Sequence, residues 1–144
     1  MVEAAILLPL LLLVMFAIFD FAGVFTVYLA LENGVTQAAR YGVTGNQMPD
    51  PSNPASTLSR DDSIKTAMRQ ATPTLTLPDA AFTFSHIPSG GAAWVAGSGG
   101  PGDIEKVSVQ YTWNIMTPLI RPLFPGGQIT IQVESAMKDE SRFN

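Results

Sequence analysis

An apolar run from Glu3 to Leu31 constrains this chain more than any other feature. After Glu3 come sixteen residues, AAILLPLLLLVMFAIF, without one polar side chain. Asp20 interrupts, and FAGVFTVYLAL carries the run on to Leu31. As a helix, residues 4–31 would extend about 42 Å, against roughly 30 Å of bilayer hydrocarbon. A secretory signal has a positive start, a shorter apolar core and a small-residue cleavage site. Here the start is Met-Val-Glu and no base precedes Arg40, so the run reads as a retained membrane-spanning helix. Its orientation cannot be taken from flanking bases, since the N-terminal side has none. A basic leader removed ahead of Met1 would have supplied that signal.

Pro9 lies one or two turns into this helix, where it removes a backbone donor and clashes with the carbonyl of Ala5. Either the regular helix starts near Leu8 or Pro9 kinks it. From about Thr26 the pattern turns amphipathic. Val27, Leu31, Gly34 or Val35, Ala38 and Tyr41 recur at helical spacing, with Glu32, Asn33, Thr36, Gln37 and Arg40 on other faces. Gly42 and Gly45 end the helix, and Arg40 sits near the negative end of its dipole. The expected plan is a helical segment over 1–44, apolar at 4–31 and amphipathic at 26–42, followed by a head domain over 45–144.

Within the head, GNQMPDPSNPASTL (45–58) reads as an extended linker because Pro, Asn, Asp and Ser crowd it. Ser59 and Asp62 form a weak capping box ahead of Ile64, Ala67, Met68 and Ala71, which predicts a short helix at 60–71 stopped by Pro73. The period then falls to two. Strands are expected at about 80–87, 104–115 and 128–137, the second with Val107, Val109, Tyr111, Trp113 and Ile115 on one face. Strands with one apolar face need a partner layer, and the back of the N-terminal helix is the nearest. The fold class is therefore α+β: a long N-terminal transmembrane and assembly helix packed on a small antiparallel sheet with one short extra helix.

Most chemistry is disfavoured by what is missing. Residues 40–144 carry eight bases against nine acids, so no basic surface is available for nucleic acid. Without cysteine there is no disulfide, thiolate metal site or cysteine nucleophile. His86 is the only histidine and reads as a structural strand residue. Asp61 and Asp62 complement a helix start. The glycine-rich stretch 90–102 lacks the setting of a phosphate loop. No catalytic, cofactor or metal set emerges, and the chain reads as non-enzymatic. Two surfaces remain as contact candidates: Trp94 in the glycine-rich loop, and Leu119, Ile120, Leu123 and Phe124 in the connection MTPLIRPLFPGG.

The two acids of the helix pose a different question, because an unpaired carboxylate in hydrocarbon costs several kcal/mol. Glu3 is close enough to the end to reach water. Asp20 lies about 24 Å further along the rod. Three fates are open to it: protonation, a bond to a hydroxyl or backbone group, or a positive partner on another chain.

The segment VEAAILLPLLLLVMFAIFDFAGVFTVYLALENGVTQAARYGVTG resembles the N-terminus of TadE-like proteins, pilin-like components of tight-adherence (Flp-type) pilus systems. The resemblance rests on the Val-Glu pair, Leu-Pro-Leu-Leu-Leu, the acid-Phe-x-Gly step from Asp20 to Gly23, and Ala-Ala-Arg-Tyr-Gly at 38–42. It covers about the first 45 residues; nothing in 45–102 matches a motif. It implies an inner-membrane protein with its C-terminal domain outside the cytoplasm, made with a leader that a prepilin peptidase removes. In type IV pilins generally, a Glu near the mature N-terminus pairs with the N-terminal amine of the adjacent subunit. Glu3 is the matching residue, third here where fifth is usual. The partners implied are other pilin-like subunits, the membrane, the peptidase and the pilus assembly platform. The function expected is a structural subunit that inserts through its helix and assembles into, or primes, a Tad pilus filament, with Glu3 and Asp20 setting register. Tad major pilins are generally shorter, which favours a minor role. The alternative is a bitopic membrane protein whose outer domain binds a ligand or surface without entering a filament.

Overall fold

The structure, a computed structural model, describes the backbone of residues 2–139 and the side chains of residues 6–53 and 55–139. One helix, α1, runs over Val2–Val43 and continues unbroken through Pro9. A two-stranded hairpin follows, β1 (Pro49–Asp50) and β2 (Asn53–Thr57), then α2 (Arg60–Ala71). Strands β3 (Phe82–Ile87), β4 (Val95–Ala96), β5 (Ile104–Asn114) and β6 (Gln128–Lys138) complete the chain, with 3₁₀ turns at Asp79–Ala81, Arg121–Leu123 and Pro125–Gly127. A long apolar helix, a short helix and antiparallel sheets make this an α+β protein.

The four longer-range strands form one sheet in the order β4-β3-β5-β6. β3 pairs antiparallel with β5, Phe82 facing Val109 and Ile87 facing Ile104. Ser108 bonds Glu134 and Asn114 bonds Gln128, so β6 runs back along β5. Alternation is strict: Glu105, Val107 and Val109 are buried on β5, and Ile131 and Val133 on β6, as the pleat requires when one face is covered.

The stretch read as a linker is shaped instead by its own side chains. Asp50 Oδ1 accepts the amide of Ser52 and Asn53 Oδ1 that of Ala55, two local turns that fold the chain back on itself. α2 starts as its sequence predicts. Ser59 Oγ accepts the Asp62 amide and donates to Asp62 Oδ2, while Lys65 closes on Asp62 at 3.0 Å.

Contacts divide the chain into two compact units. The first comprises Met1–Leu29 with Tyr111–Ile131, the second Ala30–Gln110 with Gln132–Asn144. Leu31, Val35, Ala38, Ile64, Met68, Val107 and Val109 are buried in the second unit, and each larger one contributes about 1.5–3 kcal/mol by leaving water. Within it α1 and α2 approach closely. A Cβ at Gly34 would lie 2.6 Å from Thr72 Cγ2, so only glycine fits at that crossing.

Candidate assembly surface

In the first unit the apolar run is almost wholly uncovered. α1 contains a window of mean hydropathy 2.5 of which only 6% is buried, and Ile6, Leu7, Leu11, Ile18, Phe19 and Phe21 all stand exposed. Its length and composition suffice to cross a membrane. So large an apolar surface requires a non-aqueous cover, either lipid or other helices.

Asp20 is the exception on this surface, with 6% of its area exposed. Its Oδ1 accepts the amide of Met116 at 3.0 Å and its Oδ2 the amide of Thr117 at 3.1 Å. Of the three fates open to it, this is the backbone one. Two neutral donors satisfy one oxygen each, and in return the carboxylate satisfies two amides of an irregular segment that lack ladder partners. One turn on, Gly23 leaves room for the indole of Trp113: a Cβ there would sit 3.1 Å from Trp113 Cζ2. The acid-Phe-x-Gly step thus holds β5's end and the following connection against α1, the acid by hydrogen bonds and the glycine by absence of a side chain.

Between them lies an apolar cleft of about 520 Å³, lined by Leu13, Ala17, Phe21 and Val24 of α1 and by Ile115, Ile120, Leu123 and Phe124 opposite. Ile120 is buried there, whereas Leu123 and Phe124 line the cleft and stay exposed, and Leu119 is exposed as well. Met116, not singled out in the sequence, is the most exposed of this group at 76%. Glu3 lies outside the described side chains.

The second unit holds a different polar centre, which sequence reasoning missed. Arg60 Nη2 contacts Glu105 Oε2 at 2.6 Å and Asp139 Oδ2 at 2.8 Å, and donates to the Gly42 carbonyl at 3.1 Å; Nη1 donates to the Gly99 carbonyl at 2.8 Å. One guanidinium thereby ties together the end of α1, the start of α2, the glycine-rich loop, the start of β5 and the last strand's exit. Burial pushes the Glu105 carboxyl above its ordinary range, with Arg60 opposing and Asp139 reinforcing. The strand parity that buries Val107 and Val109 also points Glu105 inward, and that was the available signal.

The glycine-rich loop is pinned. Asp103 accepts the amides of Ser89 and Gly100 at 2.7 and 2.8 Å, which hold its carboxyl below the ordinary range. His86 Nδ1–H donates to the Gly97 carbonyl at 2.9 Å, a structural role. Trp94 is half exposed, with the Lys106 ammonium 4.4 Å from its ring centroid. Among the described residues no group of three or more acids and histidines is placed to hold a metal ion.

Residues 1–40 match the TadE-like protein family. The match ends three residues before α1 does, so the family signal lies in the helix. It includes Asp20 and Gly23, whose partners Trp113, Met116 and Thr117 lie beyond it. The TadE-like segment associates this chain with Tad pilus systems and, with its apolar helix, with membrane anchoring; the family is a structural one. No curated protein and no solved structure matches the chain.

Proposed function

We propose that this protein is a pilin-like structural subunit that inserts in the inner membrane through α1, places residues beyond the helix on the extracytoplasmic side, and assembles into or primes a Tad pilus filament. The observation that carries this reading is the uncovered apolar surface of α1 inside a TadE-like segment. Lipid covers that surface before assembly and like helices cover it afterwards. Neighbouring helices pack by shape rather than by exclusion from water, since the lipid they displace is equally apolar.

Glu3 acts in this scheme as a register device, pairing with a positive group on the adjacent subunit. A buried ion pair adds little net stability but discriminates between alignments. Assembly then follows leader removal by a prepilin peptidase and handling by the pilus platform.

The test is fractionation of sheared surface filaments alongside inner membranes, for the native chain and for Glu3→Gln. The native chain is expected in both fractions and the variant in the membrane alone. A native chain confined to the membrane while filaments form normally would instead support a bitopic protein that contacts a ligand or surface, the exposed Trp94 being its nearest candidate.

A further inference from the structure

The apolar run of α1 is longer than a bilayer is thick, so the helix alone does not set its depth. The Asp20 clasp does. Wherever Asp20 sits, the backbone of Met116 and Thr117 sits beside it. The segment they open is irregular, with Pro118, Pro122 and Pro125 and two 3₁₀ turns in place of a helix or ladder. Backbone of that kind is not tolerated facing the hydrocarbon of a bilayer, where unpaired carbonyls find no donor. Asp20 therefore belongs at the bilayer surface. From Ala4, where the apolar run begins, to Asp20 the helix rises about 24 Å, most of the roughly 30 Å of a hydrocarbon core.

At this level the connection presents Met116, Leu119 and Leu123, exposed by 76%, 61% and 75%, with Arg121 exposed among them. Apolar side chains around one base, on a segment tied to the apolar helix by Asp20, match the boundary between acyl chains and phosphate headgroups. The Arg121 stem lies over Gly127, and from its exposed position the guanidinium can reach phosphate oxygens. We propose that the connection 116–124 is a second, interfacial membrane contact, and that Asp20 holds it at the outer surface of the bilayer that α1 crosses. This rests on the reading of α1 as membrane-spanning. It adds a fixed depth to that helix and a lipid contact that subunits must release on entering a filament.

The absence of cysteine from the sequence makes a direct test clean. Single variants Leu119→Cys, Leu123→Cys, Leu11→Cys and Thr83→Cys of the full chain are labelled with a polarity-sensitive fluorophore in phosphatidylethanolamine–phosphatidylglycerol vesicles. The vesicles carry nitroxide lipids, spin-labelled either near the headgroup or near the chain end. Labels at 119 and 123 are expected to be quenched by the shallow nitroxide, the label at 11 by the deep one, and that at 83 by neither. Unquenched labels at 119 and 123 beside a quenched 11 would overturn the interfacial contact and leave the membrane helix standing; a blue-shifted but unquenched label would identify protein as the cover. An unquenched 11 would remove the membrane reading itself. Adding Asp20→Ala is expected to abolish shallow quenching at 119 while 11 stays quenched, and its persistence would overturn the role given to Asp20.

Discussion

Among the described residues the first unit buries one acid and the second buries two, and the two units satisfy them in opposite ways. In the first, Asp20 meets two neutral backbone amides on an apolar helix. In the second, Glu105 meets a guanidinium shared with Asp139, and its other oxygen Oε1 is buried without a hydrogen-bond partner among the described residues. The first arrangement uses up both carboxylate oxygens and needs no counter-charge. The second gathers three charges, so it depends on every member being present. A helix long and apolar enough to cross a membrane is better served by the first. A centre that joins five chain segments is better served by the second, because one planar guanidinium reaches several acceptors at once.

The sharpest way to break this contrast is Arg60→Met. Two buried carboxylates would lose their cation, and a loss of about 3–5 kcal/mol is expected, measured by urea denaturation of the full chain in detergent micelles. A loss below about 1 kcal/mol, the scale of an exposed pair, would mean the cluster is no more than a surface network. Asp20→Leu should cost less, about 1–3 kcal/mol, for amides left without an acceptor. Its signature is selective: proteolysis of the 116–127 connection should accelerate while the second unit keeps its protection.

The acids should also differ in pH response. Burial raises Glu105 above its ordinary value of 4.5, so between the unfolded and folded values the folded state holds the extra proton. Stability from this group is full below the unfolded value and is lost as pH rises through the folded one. Glu105→Gln should flatten that decline in urea midpoints taken across the weakly acid range. An unchanged decline would move its origin to another group. The smallest effect expected is that of Gly23→Ala. The added Cβ would meet Trp113 at 3.1 Å, and a shift of a few tenths of an ångström relieves it. A loss under about 1 kcal/mol with a change in Trp113 fluorescence is expected, whereas Gly34→Ala, at 2.6 Å from Thr72, should cost more.

Local period made much of the molecule legible. The burial of Val27, Leu31, Val35 and Ala38 follows the helical spacing along α1, and the inward faces of β5 and β6 follow strict alternation. The capping pair Ser59 and Asp62 marked where α2 begins. The β1–β2 hairpin was not legible, because its strands are too short to show a period and its turns depend on which way Asp50 and Asn53 point. Ile120 shows the same limit within the connection. Its composition predicts an apolar segment, but only the packed structure separates the buried Ile120 from the exposed Leu119 and Leu123.

By itself, then, the sequence determined a long apolar helix with an amphipathic end, the alternating strands and the TadE-like segment, because each depends on neighbours within a few residues. Tertiary structure alone decided where the acids go. Asp20 finds its donors 96 and 97 residues away and Arg60 reaches Asp139 across 79, and nothing in local spacing encodes such a pairing. A carboxylate in an apolar run announces that it needs a partner; only the folded chain, by bringing two free amides beside it, determines which one it takes.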